Sequence, residues 1–309
     1  MKYVVASSAA GEGLPSSFGY ARRRARSQWR SVLVGLCAIV MALVGFGAAF
    51  AGESGEDPGL TNVTVRESYP GPDNTGVPAG TTLRRSGSIT VEKDGQVIDG
   101  LDIQGCVLVT ADNVVIRRSR IRCADKYSIR TLNATNLLVE DVEIDGRGMN
   151  EAAVCCANYT LRRLDISNVI DGPRLADNTV IEDSWIHHLH RRAGSHNDTL
   201  QTTGATNVTI RRNALEAFHP DNDDPMNACL MIGSTTGPVV ANLIFEGNYC
   251  NGGNYSIGIR RDLNASNVQI RNNTFGRDHR YGVVAEPHPG VIWDTASNIY
   301  LDDLRPVTG

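Results

Sequence analysis

The feature that most constrains this chain is a nonapeptide that recurs seven times, Asn-Φ-x-Φ-x-x-x-x-Φ with Φ apolar: NVVIRRSRI from Asn113, NLLVEDVEI from Asn136, NYTLRRLDI from Asn158, NTVIEDSWI from Asn178, NVTIRRNAL from Asn207, NLIFEGNYC from Asn242 and NVQIRNNTF from Asn267. The leading Asn residues are spaced by 23, 22, 20, 29, 35 and 25. A period just over twenty, with short β-rich runs and no helical periodicity, predicts a solenoid with one coil per repeat. The second and fourth positions alternate with polar ones, as in a strand with one buried face, Thr179 being the polar exception. Asn tolerates the left-handed backbone conformation, so the leading Asn marks a bend between strands. The fifth position reads Arg117, Glu140, Arg162, Glu182, Arg211, Glu246, Arg271. If successive coils stack in register about 4.8 Å apart, each of these charges faces opposite charges above and below. Each exposed pair is worth a few tenths to about 1 kcal/mol. The energy is small, but independent surface elements would have no reason to alternate in sign.

The same periodicity divides the chain. QVIDGLDIQG (96–105) fits an earlier coil and VEKDG (91–95) the start of the stack, so the solenoid spans 91–275 in about nine coils. Residues 52–90 are rich in Pro and Gly and are expected to form a lead-in segment and cap; residues 276–309 lose the pattern and are expected to cap the other end. In residues 1–51 a basic stretch, ARRRARSQWR, precedes an apolar run ending at Ala49-Phe50-Ala51, the pattern of a signal peptide or, left uncleaved, of a membrane anchor over residues 31–50. The body is therefore expected outside the cytoplasm, with a membrane relation only through that segment. Without the leader the charge is 24 basic against 33 acidic residues, or −9, which argues against nucleic acid as a partner. Six cysteines remain in the body (106, 123, 155, 156, 229, 250), an even count that an oxidising compartment allows to pair, with connectivity open.

From PGPDNTGVPAGTTL to the last repeat, the chain resembles the right-handed parallel β-helix proteins of the pectate lyase and polygalacturonase superfamily, in particular their secreted bacterial members. That resemblance implies an all-β, single-stranded parallel β-helix acting on an extracellular polysaccharide. The superfamily holds lyases, glycosidases, epimerases and binders, so the fold alone does not choose the chemistry.

The two long spacings place extra residues in adjacent coils, HHLHRRAGSHND (187–198) and EAFHPDNDDPMN (216–227). Both follow the last apolar position of a repeat, so both leave the solenoid at one corner and are expected to wall a groove. They carry five of the seven histidines, together with Asp198, Asp221, Asp223 and Asp224. His196-Asn197-Asp198-Thr199-Leu200-Gln201 resembles the Asn-Thr-Asp-Gly motif of polygalacturonases, in which the aspartate is catalytic. It departs from that motif in that Asn197 is followed directly by Asp198 and no Gly-His-Gly follows.

The expected catalytic residues are Asp198, His196 and Arg260, the last placed near the level of Gln201. Asn197, Gln201, Arg191, Arg192 and His219 are the expected substrate contacts. Hydrolysis needs two carboxyl groups, which Asp198 with Asp223 or Asp224 would supply. β-Elimination from an acidic glycan needs a base, a cation to neutralise the uronate and an acid for the leaving oxygen. Asp221, Asp223 and Asp224 offer hard oxygen ligands for Ca²⁺, without EF-hand spacing. The HHLH run puts His188 and His190 on one face if extended, a pair suited to zinc or copper. The expectation is a monomeric exported protein that binds and cleaves an acidic polysaccharide by β-elimination or hydrolysis. The alternative is a non-catalytic carbohydrate-binding or surface adhesion module.

Overall fold

The computed structural model describes residues 62–308 apart from 235, 236, 238, 286 and 287, so the leader and anchor expected in residues 1–51 lie outside the described residues. Among the described residues, apart from one short helix, Asn62–Glu67, the regular structure is β, arranged in one twenty-stranded and one five-stranded parallel sheet. Each repeat pairs in parallel with the next, position on like position. The charge column runs unbroken as Asp99↔Arg117↔Glu140↔Arg162↔Glu182↔Arg211↔Glu246↔Arg271. Glu182 is held from both sides, by Arg162 at 2.7 Å and Arg211 at 2.6 Å, and Arg271 reaches Glu246 at 2.9 Å.

Beside this column the fourth positions make a dry one. Ile98, Ile116, Val139, Leu161, Ile181, Ile210, Phe245 and Ile270 stack in register and are buried. The ninth positions add Ile121, Ile144, Ile166, Ile186, Leu215, Cys250 and Phe275. A side chain with neighbours above, below and inward loses nearly all contact with water, so the core is a set of aliphatic stacks with a periodicity set by the repeat. Thr179 is buried in the second-position stack, where its hydroxyl donates to the Ala176 carbonyl at 3.0 Å.

Two bends per repeat let the chain turn back on itself. The leading Asn residues all have φ between 53° and 59°, and their amides form an exposed ladder, with Asn136 bonded to Asn113, Asn207 to Asn178 and Asn242 to Asn207 at 2.8 to 3.2 Å. The sixth position is left-handed as well. Arg118, Asp141, Arg163, Asp183 and Arg212 adopt φ of 45° to 55° there and form a second alternating column, in which Arg163 reaches Asp141 at 2.6 Å and Arg212 reaches Asp183 at 2.7 Å. Forming those pairs helps offset the cost of the left-handed backbone at non-glycine residues. At the seventh position, Asn213, Asn248, Asn273 and Asn298 are buried and linked side chain to side chain at 3.0 to 3.2 Å, and the Nδ2 atoms of Asn213, Asn248 and Asn273 donate to the carbonyls of Ile181, Ile210 and Phe245.

Both flanking segments pack against the rows. Residues 62–83, expected within a cap, run along the side of the stack. Arg66 pairs with Glu216, the Tyr69 hydroxyl donates to Thr274 Oγ1 at 2.9 Å, the Gly76 amide donates to the Arg163 carbonyl at 2.9 Å, and the Arg84 amide reaches Gly100 at 2.9 Å. From Tyr69 on, the strap thus crosses the rows in reverse order. Gly76 (φ 73°) is required because a Cβ there would lie 3.0 Å from Asp165 Cβ. At the other end the columns continue past residue 275, with Ile270 opposite Trp293 and Thr274 opposite Ile299, before Val307 closes on Asn298 and on the Trp293 indole. The cysteines pair as 106–123, 155–156 and 229–250. Cys155 is buried and its chain neighbour Cys156 exposed, yet they are joined to each other.

Removing a member of the buried ladder leaves its partners' polar atoms unsatisfied, whereas the exposed column is screened by water. Asn248→Ala is expected to lower unfolding free energy by about 2 to 3 kcal/mol and Glu246→Ala by less than about 1 kcal/mol, read as urea midpoints at unchanged slope.

Candidate functional site

The two insertions meet. The Arg191 guanidinium clasps the Asp224 carboxylate, with Nη2 2.8 Å from Oδ1, and its Nη1 donates to the Ser195 carbonyl at 3.2 Å. His219 and Asp224 form a short antiparallel bridge that closes the second loop on itself. Between the loops lies a cavity of about 560 Å³ lined by Arg191, Arg192, Ser195, His196, Asn222 and Asp224. Arg192 lines the cavity, and its backbone amide donates to Ser195 Oγ at 2.9 Å. His196 is exposed on the same wall.

Beneath the loops Asn197 is fully buried. Its Nδ2 donates to the carbonyls of Ile170 and His190 at 2.8 and 2.9 Å, and its Oδ1 accepts from Ser195 Oγ at 2.7 Å. That corrects its expected role as a substrate contact: its polar groups are spent on anchoring the first loop to the sheet.

Asp198 is equally buried and opens the strand Asp198–Thr202, so it is not a loop residue facing the groove. Its Oδ1 accepts from Asn227 Nδ2 at 2.7 Å and its Oδ2 from Gln201 Nε2 at 3.1 Å. Its backbone amide donates to Asp171 Oδ1 at 3.1 Å. The second carboxyl near Asp198 is therefore Asp171, not Asp223 or Asp224. Burial pushes the Asp198 carboxyl up to about 8, and the charge of Asp171 pushes it the same way, against the bonds from Asn227 and the Ala228 amide. Burial raises Asp171 to about 6, opposed by the Asp198 amide and by Arg174, whose Nη2 lies 3.4 Å from Asp171 Oδ2. Burial and mutual repulsion therefore make the pair retain a proton to higher pH than free aspartates do. Arg174 also reaches Glu151 at 3.3 Å, and Glu151 reaches Lys126 at 3.4 Å, which carries a polar chain from the pair across earlier rows.

Asp171 carried one signal in the sequence: it stands one row before Asp198 and is followed by Gly172. The Gly172 amide donates to the Asp198 carbonyl at 2.9 Å, and a Cβ at Gly172 would fall 2.0 Å from the Thr199 carbonyl oxygen. Only glycine permits that approach.

Other expected residues are placed elsewhere. Gln201 stands opposite Met231 and then Gly258, so Arg260 lies two residues beyond that level, where it pairs with Asp262 at 2.9 Å. The unequal spacings displaced the alignment. The Asp221, Asp223 and Asp224 carboxylates do not gather into a calcium site. The first two are exposed and the third is neutralised by Arg191, and among the described residues no three His, Cys, Asp or Glu side chains are set to hold a metal ion. His219 contributes its backbone to the second loop and does not line the cavity.

Comparison with protein-family models, with curated proteins and with solved structures gives no match to this chain.

Above about pH 4, where an unfolded aspartate has lost its proton, the folded pair still holds protons that the unfolded chain has released. Stability therefore falls as pH rises from about 4 through about 8. Urea midpoints are expected to be lower at pH 8 than at pH 5, and Asp198→Asn to flatten that slope. Equal wild-type midpoints at the two pH values would contradict the assignment.

Proposed function

We propose that this chain is an exported right-handed parallel β-helix of the pectate lyase and polygalacturonase kind, and that it binds an acidic extracellular polysaccharide in the cavity between its two insertions. The in-register columns and the left-handed bends support the helix. Three cysteine pairs are compatible with an oxidising compartment. The observation that carries the binding reading is the loop-to-loop clasp. It presents Arg191, Arg192, His196, Ser195 and Asn222 around one polar space of about 560 Å³, of a size suited to a sugar residue or two. In a body of charge −9, the Arg192 guanidinium, beside an Arg191 already clasped by Asp224, gives a uronate carboxylate a cation to dock on.

Cleavage is a second reading, favoured by the Asp171–Asp198 pair. Two neighbouring carboxyls whose pKa values are both raised, so that the pair retains a proton, offer the acid and the base that cleavage of a glycosidic bond uses. Because Asp198 is buried, this chemistry requires Gln201 to swing off Oδ2 when the sugar enters.

The test is to incubate the protein with a panel of uronate polymers, with and without calcium, following affinity, unsaturated ends by absorbance, and reducing sugar. Binding of at least one polymer is expected, weakened about tenfold or more by Arg192→Ala, the loss of one charge-assisted contact. No binding across the panel overturns the proposal. New ends with absorbance identify elimination and new ends alone hydrolysis; in either case Asp198→Asn is expected to cut turnover at least 100-fold with affinity retained. Binding without new ends leaves a carbohydrate-binding module.

A further inference from the structure

At the entry to the five-stranded sheet one position breaks its rule in the last row. Asn197, Asn227 and Asn254 hold the same place in three successive rows, since the Asn227 amide donates to the Asn197 carbonyl at 2.9 Å and the Asn254 amide to the Asn227 carbonyl at 2.7 Å. In the fourth row that place belongs to Tyr281, whose amide donates to the Asn254 carbonyl at 2.9 Å. The side chains record the change. Asn227 Nδ2 donates to Asp198 Oδ1 at 2.7 Å and Asn254 Nδ2 to Asn227 Oδ1 at 3.3 Å, so a fourth amide would have reached Asn254 Oδ1. That oxygen is instead buried with no hydrogen-bond partner among the described residues. A buried acceptor left over in this way costs stability, and Tyr281 returns little packing for it, being 65% exposed. Folding alone does not account for a tyrosine there.

Tyr281 has a companion. Its ring centroid lies 5.5 Å from that of Tyr255, with 45° between the ring planes. The pair borders a shelf of small and apolar residues. Gly282 stands opposite Tyr255, where a Cβ would lie 3.8 Å from Tyr255 Cε1. Met231 and Ala228, one row back, occupy the space beside Gly258, whose Cβ would collide with Met231 Cε and lie 3.5 Å from Ala228 Cβ. Ala228 and Met231 are in turn opposite Asp198 and Gln201. With rows about 4.8 Å apart, the aromatic pair begins roughly 10 Å along the stack from Asp198. The second insertion adjoins it as well: the Asp224 carboxyl, held below the usual range by its bond from Arg191, also feels the charge of Arg280, the residue before Tyr281.

A pyranose carries hydroxyls around its rim and C–H groups on its faces, and those hydrogens are drawn to the electron-rich face of an aromatic ring. We propose that Tyr255 and Tyr281 form a stacking subsite for a pyranose residue of the polysaccharide, so that a chain held by a carboxylate at Arg192 continues across the rows, over Ala228 and Met231, to the two tyrosines. This rests on the glycan reading of the cavity and extends it, since recognition by charge at one end and by ring face at the other selects a polymer over a single sugar.

The test is calorimetric titration of the full chain with uronate oligomers of increasing length, from the disaccharide upward. Wild-type affinity is expected to rise once an oligomer is long enough to leave the cavity and cross the shelf. Tyr281→Ala is expected to weaken the long oligomers about three- to tenfold, the loss of one aromatic contact, with the disaccharide and the urea midpoint unchanged and Tyr281→Phe retaining the long-oligomer affinity. Arg192→Ala is expected to weaken every length. Wild-type affinity for the long oligomers in Tyr281→Ala, while Arg192→Ala weakens them, overturns the subsite and leaves the cavity standing. The reverse result keeps the subsite and removes the cavity reading, and a wild-type chain that binds no oligomer overturns both. Sedimentation of the ligand-free chain as a dimer that Tyr281→Ala dissociates also overturns the subsite, by making the pair a contact between copies of this chain.

Discussion

Parallel pairing in strict register is the constraint on which the rest of the molecule depends. Because each row lies on the next with like position over like position, a side chain is never chosen alone; it is chosen against its counterparts roughly twenty to thirty-five residues away in both directions. Aliphatic residues then make continuous dry stacks, asparagines make ladders, and charges must alternate. A one-residue slip would turn the aliphatic stacks to water and bring the charged columns inside, so the small energies of individual ion pairs add specificity to a register the core already enforces.

The same geometry explains how carboxylates come to be buried at Asp171 and Asp198. Asp198 opens its strand under the loops above it, where its carboxyl trades water for Asn227 and Gln201, while Asp171 closes the strand of the row before, where its carboxyl accepts from the Asp198 amide. Two such groups in successive rows cannot both ionise cheaply, and the proton they retain follows from that proximity. The insertions have the opposite character. Outside the register they rely on the Arg191–Asp224 clasp and on Asn197, which ties the first of them to the sheet.

The architecture was legible in the sequence because repetition makes it so: the apolar positions, the left-handed Asn bends and the alternating fifth position each state a periodic rule. The meeting of the two insertions was legible for the same reason, since both leave at one corner. What escaped were contacts with no period. Asp171 is hidden because its partner is fixed by a row length that varies. Arg260 was set at the wrong level by the unequal spacings that create the site. The strap of residues 62–83 engages Glu216, Tyr249 and Thr274, whose outward faces give no sign in the sequence of what will cover them.

The buried asparagines at 213, 248, 273 and 298 occupy a corner that earlier rows fill with Ser119, Val142, Leu164 and Ser184. Each amide there satisfies the row before it and the row after, so the unit that repeats is self-contained only as part of a series. A chain built this way can lengthen by copying a whole row from within the series, because the copy meets the neighbours it was shaped for. The later half of the molecule is thus the part in which gene duplication could extend the protein without redesigning its interior.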